Sequence, residues 1–216
     1  MKTGTTRVET FSDGVISIII TIMVLSLKLP DISHDSTPYA IEHHFRELAP
    51  YFGAYVFSFM MIGIFWTNHH SMFHLLEHTD EMLLWQNLFY LFWMSLIPFS
   101  TAMIGANPLF PLAIAVYGFI MMMTTSMLAF MREYTLRRGL VYKDEKRELT
   151  RKVYKVSVKG RAKTYIGVVA YLLSIPLAYV HVYLAYLFFI IPPVIFFIPD
   201  GIDDEELADR IADLNK

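Results

Sequence analysis

No cysteine occurs anywhere in the 216 residues. That absence excludes a disulfide framework, a thiolate metal site and a cysteine nucleophile. Charge is also scarce, at 18% of residues, and sequence-wide it nearly cancels to −2. The spans contain no HExxH pattern, no serine–histidine pairing and no paired aspartates at useful spacing, so nothing points to an enzyme. No cleavable leader is legible either, because the first apolar run is too long for a signal core and lacks a small-residue cleavage site after it. What the chain has instead is apolar bulk: 55% hydrophobic residues, 15% aromatic residues and a mean hydropathy of +0.44. Several segments are apolar all round, which makes lipid their solvent.

Six apolar segments follow one another, at about 6–28, 49–73, 82–104, 109–131, 162–180 and 181–199. They predict an all-α membrane protein with a single domain of six transmembrane helices over residues 1–199. The last two segments meet at His181, which marks either a tight turn or a kink in one long element. Residues 29–48 are polar, contain Pro38 and predict a short interfacial helix. Residues 132–161 form a basic connector, and residues 200–216 an acidic tail without the ligand spacing of a calcium loop.

Charge distribution sets the expected orientation. Of the 18 Lys and Arg, 12 lie between Arg132 and Lys163, against four acids there. The positive-inside rule places that stretch in the cytoplasm. Counting spans in both directions then puts the N- and C-termini in the cytoplasm too. A basic run also suits acidic lipid or nucleic acid, but this one flanks two spans and has no aromatic interleaving, so no nucleic-acid partner is expected.

The stretch RVETFSDGVISIIITIMVLSLKLP, from Arg7 to Pro30, organises the rest. At about 1.5 Å per residue, Thr6 to Leu27 is long enough to cross a hydrocarbon core of roughly 30 Å. At about 100° per residue, Ile18, Thr21, Ile22 and Leu25 share an arc of roughly 100°, with Asp13 roughly 140° from Ile18. Copies of this helix around an axis would narrow a pore at Ile18 and Leu25, and such constrictions gate by dewetting. An Ile-rich helix face equally serves packing or meets lipid.

Two further clusters carry polar groups. In FWTNHHSMFHLLEH (65–78), His70, His74 and His78 recur every four residues and so fall on one helical face. Imidazoles so spaced bind zinc or relay protons. Alternatively Trp66 and one histidine are buried partners of Arg7 and Asp13, and the others are wet interface residues. In WQNLFYLFWMSLIPFSTAM (85–103), Asn87 can hydrogen-bond the groups around Arg7 and Asp13 or a neighbouring carbonyl. Pro98 should bend that helix.

Arg7-x-x-x-Phe11-Ser12-Asp13, FWTNHH at 65–70 and NLFYLF…SLIPFSTA at 87–102 together resemble the transmembrane protein 175 family of potassium channels. The resemblance covers about residues 5–105 by motif. It implies a cation channel without a TVGYG-type filter, and none is present. It implies that the first helix lines the pore, with Ile18 as the constricting ring, Thr21 and Leu25 further out and Ile22 sharing the lining. Arg7, Phe11, Ser12 and Asp13 would form a structural network with Trp66, Asn68, His69, His70 and Asn87. Animal relatives carry two repeats per chain. One repeat, as here, looks like the bacterial form, a homotetramer in the plasma membrane. The expected partners are then membrane lipid, potassium and other monovalent cations, with no cofactor beyond the permeant ion. A metal-ion or proton-coupled transporter built on His70, His74 and His78 is the competing reading.

Overall fold

In the computed structural model of the chain, residues 5–27, 38–141 and 148–197 are described. They are helical almost throughout: α1 (Thr5–Ile22), a 3-10 turn (Met23–Ser26), α2 (Pro38–His74), α3 (Glu81–Ser95), α4 (Ile97–Ala106), α5 (Pro111–Arg138), α6 (Glu148–Val180) and α7 (Val182–Phe196). Because α3 and α4 stack end to end, they form one rod, Glu81–Ala106. Five rods are long and apolar enough to cross a membrane, and α7 is a shorter apolar helix.

Local chemistry explains the boundaries. Asp80 caps α3 by accepting the Leu83 N–H at 2.9 Å, and Glu81 places negative charge in the first turn. The rod containing Pro98 is interrupted for one residue at Leu96, two residues earlier, where the backbone stays in the right-handed region at φ −86° and ψ −9°. Proline has no N–H to continue the ladder, and its ring collides with the carbonyl four residues back. Gly139 stops α5 in the left-handed region at φ 63°, while the Leu140 N–H returns to the Thr135 carbonyl at 3.0 Å. His181 alone separates α6 from α7, in extended backbone at φ −158°.

Two sequence expectations change here. The segment before the second span holds no separate helix from Pro38 onward, because α2 runs unbroken through Pro50. The basic connector is largely helical, since α5 runs on to Arg138 and α6 begins at Glu148. The acidic tail, 200–216, lies outside the described residues.

Packing runs in a chain across the bundle. One edge is α1 on α2 and α3; the middle is α2 on α4 and α3–α4 on α5; the other edge is α5, α6 and α7. Where α5 meets α6 and α7, Gly118 allows the close approach: a Cβ there would lie 2.7 Å from Ser174 Oγ and 3.3 Å from the Phe189 ring. Hydroxyls in this apolar interior find one another. Ser58 Oγ lies 2.9 Å from the Tyr117 hydroxyl and accepts from Thr101 at 2.8 Å, joining α2, α5 and α4.

Gly118→Val should therefore overpack the α5–α6–α7 junction and lower stability by about 1–3 kcal/mol. Thermal unfolding in detergent checks this, and an unchanged midpoint would mean that the three helices are spaced more loosely than described.

Candidate functional site

Two features of α1 stand out, one on each side. Its packed side presents Val8, Ser12, Ile16 and Ile19, spaced three or four residues apart and all buried, and Met23 in the 3-10 turn continues the row. Its other side presents Phe11, Ile18 and Ile22, with Leu25 following in the 3-10 turn; Ile18 is 58% and Leu25 75% exposed. Thr21 is exposed on that same side. The Thr21 hydroxyl is turned back onto its own helix, 2.8 Å from the Ser17 carbonyl and 3.0 Å from the Ile18 carbonyl. Its proton is thus used internally, which leaves the oxygen lone pairs for whatever faces the helix.

The packed side is fixed by polar groups where α1 and α3 begin and α2 and α5 end. Ser12, fully buried, donates to the Val8 carbonyl at 2.9 Å and accepts from Asn87 Nδ2 at 2.8 Å. The Asn87 amide oxygen lies 2.8 Å from His69 Nε2. Since that oxygen can only accept, His69 must carry its proton on Nε2, and the bond directions fix the tautomer. The His69 ring is sandwiched by aromatic neighbours, stacked on Tyr90 at 5.4 Å and Phe73 at 4.4 Å. Tyr90 in turn donates to the Phe65 carbonyl at 3.0 Å. One chain of hydrogen bonds therefore joins α1, α3 and α2.

A second set of contacts lies one helical turn away. Trp66 Nε1 donates to Asp13 at 2.8 Å, and the Trp66 ring stacks on His70 at 5.6 Å. His70 Nδ1 stands 2.8 Å from the Glu9 carboxylate. Asn68 bonds its own helix through Nδ2 and accepts from the Arg132 guanidinium of α5 at 2.8 Å.

Of the expected network, Ser12, Asp13, Trp66, Asn68, His69, His70 and Asn87 are thus held at this end of the bundle. Arg7 and Phe11 are not: both are exposed, and Asp13 is bound by Trp66 with no ion pair to Arg7. The His70–His74–His78 face also fails, because α2 ends at His74 and His78 sits in the connection to α3. Sequence reasoning missed Glu9, Tyr90 and Arg132. For Glu9 a signal existed: it lies four residues before Asp13, on the same helical face.

Long apolar rods, hydroxyl pairs inside the bundle and a buried polar cluster at one end define an all-helical, multi-pass membrane protein. A family profile described as endosomal/lysosomal potassium channel TMEM175 matches residues 7–98, the part that contains this cluster and the exposed α1 face. A potassium channel from Chryseobacterium sp. (strain P1-3) is 36% identical over 204 residues, covering 94% of this chain and 98% of that protein. The chain belongs to the TMEM175 family. A bovine endosomal/lysosomal proton channel TMEM175 is 37% identical over 114 residues, 48% of this chain and 20% of that protein. The crystal structure of a lysosomal potassium-selective channel TMEM175 homologue from Chamaesiphon minutus matches with a TM-score of 0.70 at 24% identity. It covers 91% of this chain and 98% of that one, a likeness of fold.

Asn87→Leu would strand the His69 Nε2–H in the interior and should cost about 1–3 kcal/mol. Arg7→Gln, on an exposed side chain, should change the same melting curve far less. An equal loss from both would place Arg7 inside the network.

Proposed function

We propose that the chain forms a potassium-permeable channel, a homotetramer whose α1 helices line a central pore. The observation that carries this reading is the two-sidedness of α1. One side is locked to α2 and α3 by buried hydrogen bonds, and the other is left open along its length with Ile18, Thr21, Ile22 and Leu25 on it. In a single chain α1 stands at the edge of the bundle, and cyclic symmetry is the simplest way to give such an edge a partner. The potassium-channel name of the Chryseobacterium relative supports the same activity.

Ile18 and Leu25 then form a hydrophobic constriction that opens by wetting. Thr21 supplies a ring of hydroxyl oxygens with free lone pairs, able to replace part of a cation's water shell. Without a dense array of carbonyls, selectivity for potassium over sodium is weak to moderate. The bacterial source of the Chryseobacterium relative supports a bacterial plasma membrane, and the basic stretch from Arg132 to Lys163 favours both termini in the cytoplasm, which puts the polar cluster at the cytoplasmic end. A transporter based on three stacked histidines loses its support, because His78 is off the helix.

Potassium flux into liposomes containing only this protein tests the proposal, repeated with sodium and with a proton gradient. Potassium should enter faster than sodium, and Ile18→Asn should raise the flux by hydrating the constriction. Anion preference, or unchanged flux in the Ile18→Asn protein, would contradict the assignment.

A further inference from the structure

The polar end of the bundle contains a group of side chains that the channel reading does not use. Glu9 on α1 and His70 and His74 on α2 each offer one ligand atom, and those atoms all lie within 4.8 Å of one another. The two histidines are one helical turn apart, the spacing at which two imidazoles on one face take the same metal ion. Glu9 comes from a different helix and completes a two-histidine, one-carboxylate set.

The local geometry leaves room for ligation beside the Glu9–His70 ion pair. Glu9 Oε1 and His70 Nδ1 approach to 2.8 Å, yet both atoms are buried and neither has a hydrogen-bond partner. Their approach therefore lies off the line that a hydrogen bond needs. Trp66 stacks on the His70 ring at 5.6 Å and, through Asp13, is itself tied to α1. His70 is thus held in orientation by neighbours that do not ligate, as ligating histidines usually are. His74 is exposed, with its ring edge-on to His70 at 4.5 Å. On a tetrahedral ion with bonds of about 2.0–2.1 Å, neighbouring ligand atoms sit roughly 3.3 Å apart. Swinging the exposed His74 side chain inward closes the remaining gap and leaves a fourth position for water.

We propose that Glu9, His70 and His74 form a binding site for a borderline transition-metal ion of the zinc class, bridging α1 to α2. The nitrogen-rich donor set disfavours magnesium and calcium, which take oxygen ligands.

Titration calorimetry of the tag-free, detergent-solubilised protein with zinc chloride tests the site, with magnesium chloride as control. Zinc should bind at one site per chain and raise the melting midpoint, while magnesium does neither. His74→Ala, on an exposed side chain, should keep the fold and weaken zinc binding by more than about tenfold, since even an outer-shell partner costs that much. Glu9→Gln should weaken it likewise. No zinc binding by the wild type, or equal binding by His74→Ala, would overturn the proposal. Because binding is read without any flux, a protein that binds zinc but conducts nothing would contradict the channel reading and leave the site standing.

Discussion

The hydrogen-bond chain Ser12–Asn87–His69 is the constraint on which the arrangement depends. It holds one face of α1 against α2 and α3 from inside the bundle, with every bond near 2.8 Å. In lipid a polar side chain that lost these partners would find no water to replace them, so the three residues determine how α1 is rotated. Once that rotation is fixed, Ile16, Ile19 and Met23 must face inward. Ile18, Ile22 and Leu25 have no choice but to face out.

The same logic recurs elsewhere in the bundle. Ser58, Tyr117 and Thr101 pair at the crossing of α2, α5 and α4, and Asn68 receives Arg132 where α2 meets α5. Farther along α5, Glu133 binds both Arg137 of its own helix and Arg161 of α6. Polar groups thus choose the contacts between rods, while the apolar mass supplies the bulk of the packing. Apolar side chains alone are poor at this, because a leucine is as well solvated by lipid tails as by another helix.

Much of this was legible in the sequence, and the misses have physical causes. Apolar runs long enough for a bilayer gave the rods, because in lipid a backbone has few other ways to satisfy itself. That Ser12, Asn87 and His69 share one network is what the family resemblance implies, and the structure brings the three together. For Asp13 the sequence offers both Trp66 and Arg7, and the choice of Trp66 depends on how α2 is rotated against α1, which a helical wheel, describing one helix at a time, does not give. The histidine periodicity was extended one turn too far for a related reason. Asp80 and Glu81 begin a new helix, so the residues before them must form the connection, and His78 falls there. Pro98 predicts a bend, and the ladder gives way two residues earlier, at Leu96.

The central claim is that the open face of α1 meets other copies of α1 around an axis. Since the chain has no native cysteine, oxidative cross-linking of Ile18→Cys in reconstituted membranes tests it directly, with Val169→Cys on the exposed face of α6 as the comparison. The account predicts that Ile18→Cys forms covalent dimers between chains and that Val169→Cys does not. Ile18→Cys chains that stay monomeric while Val169→Cys chains link would place α6, not α1, between subunits, and would contradict the account.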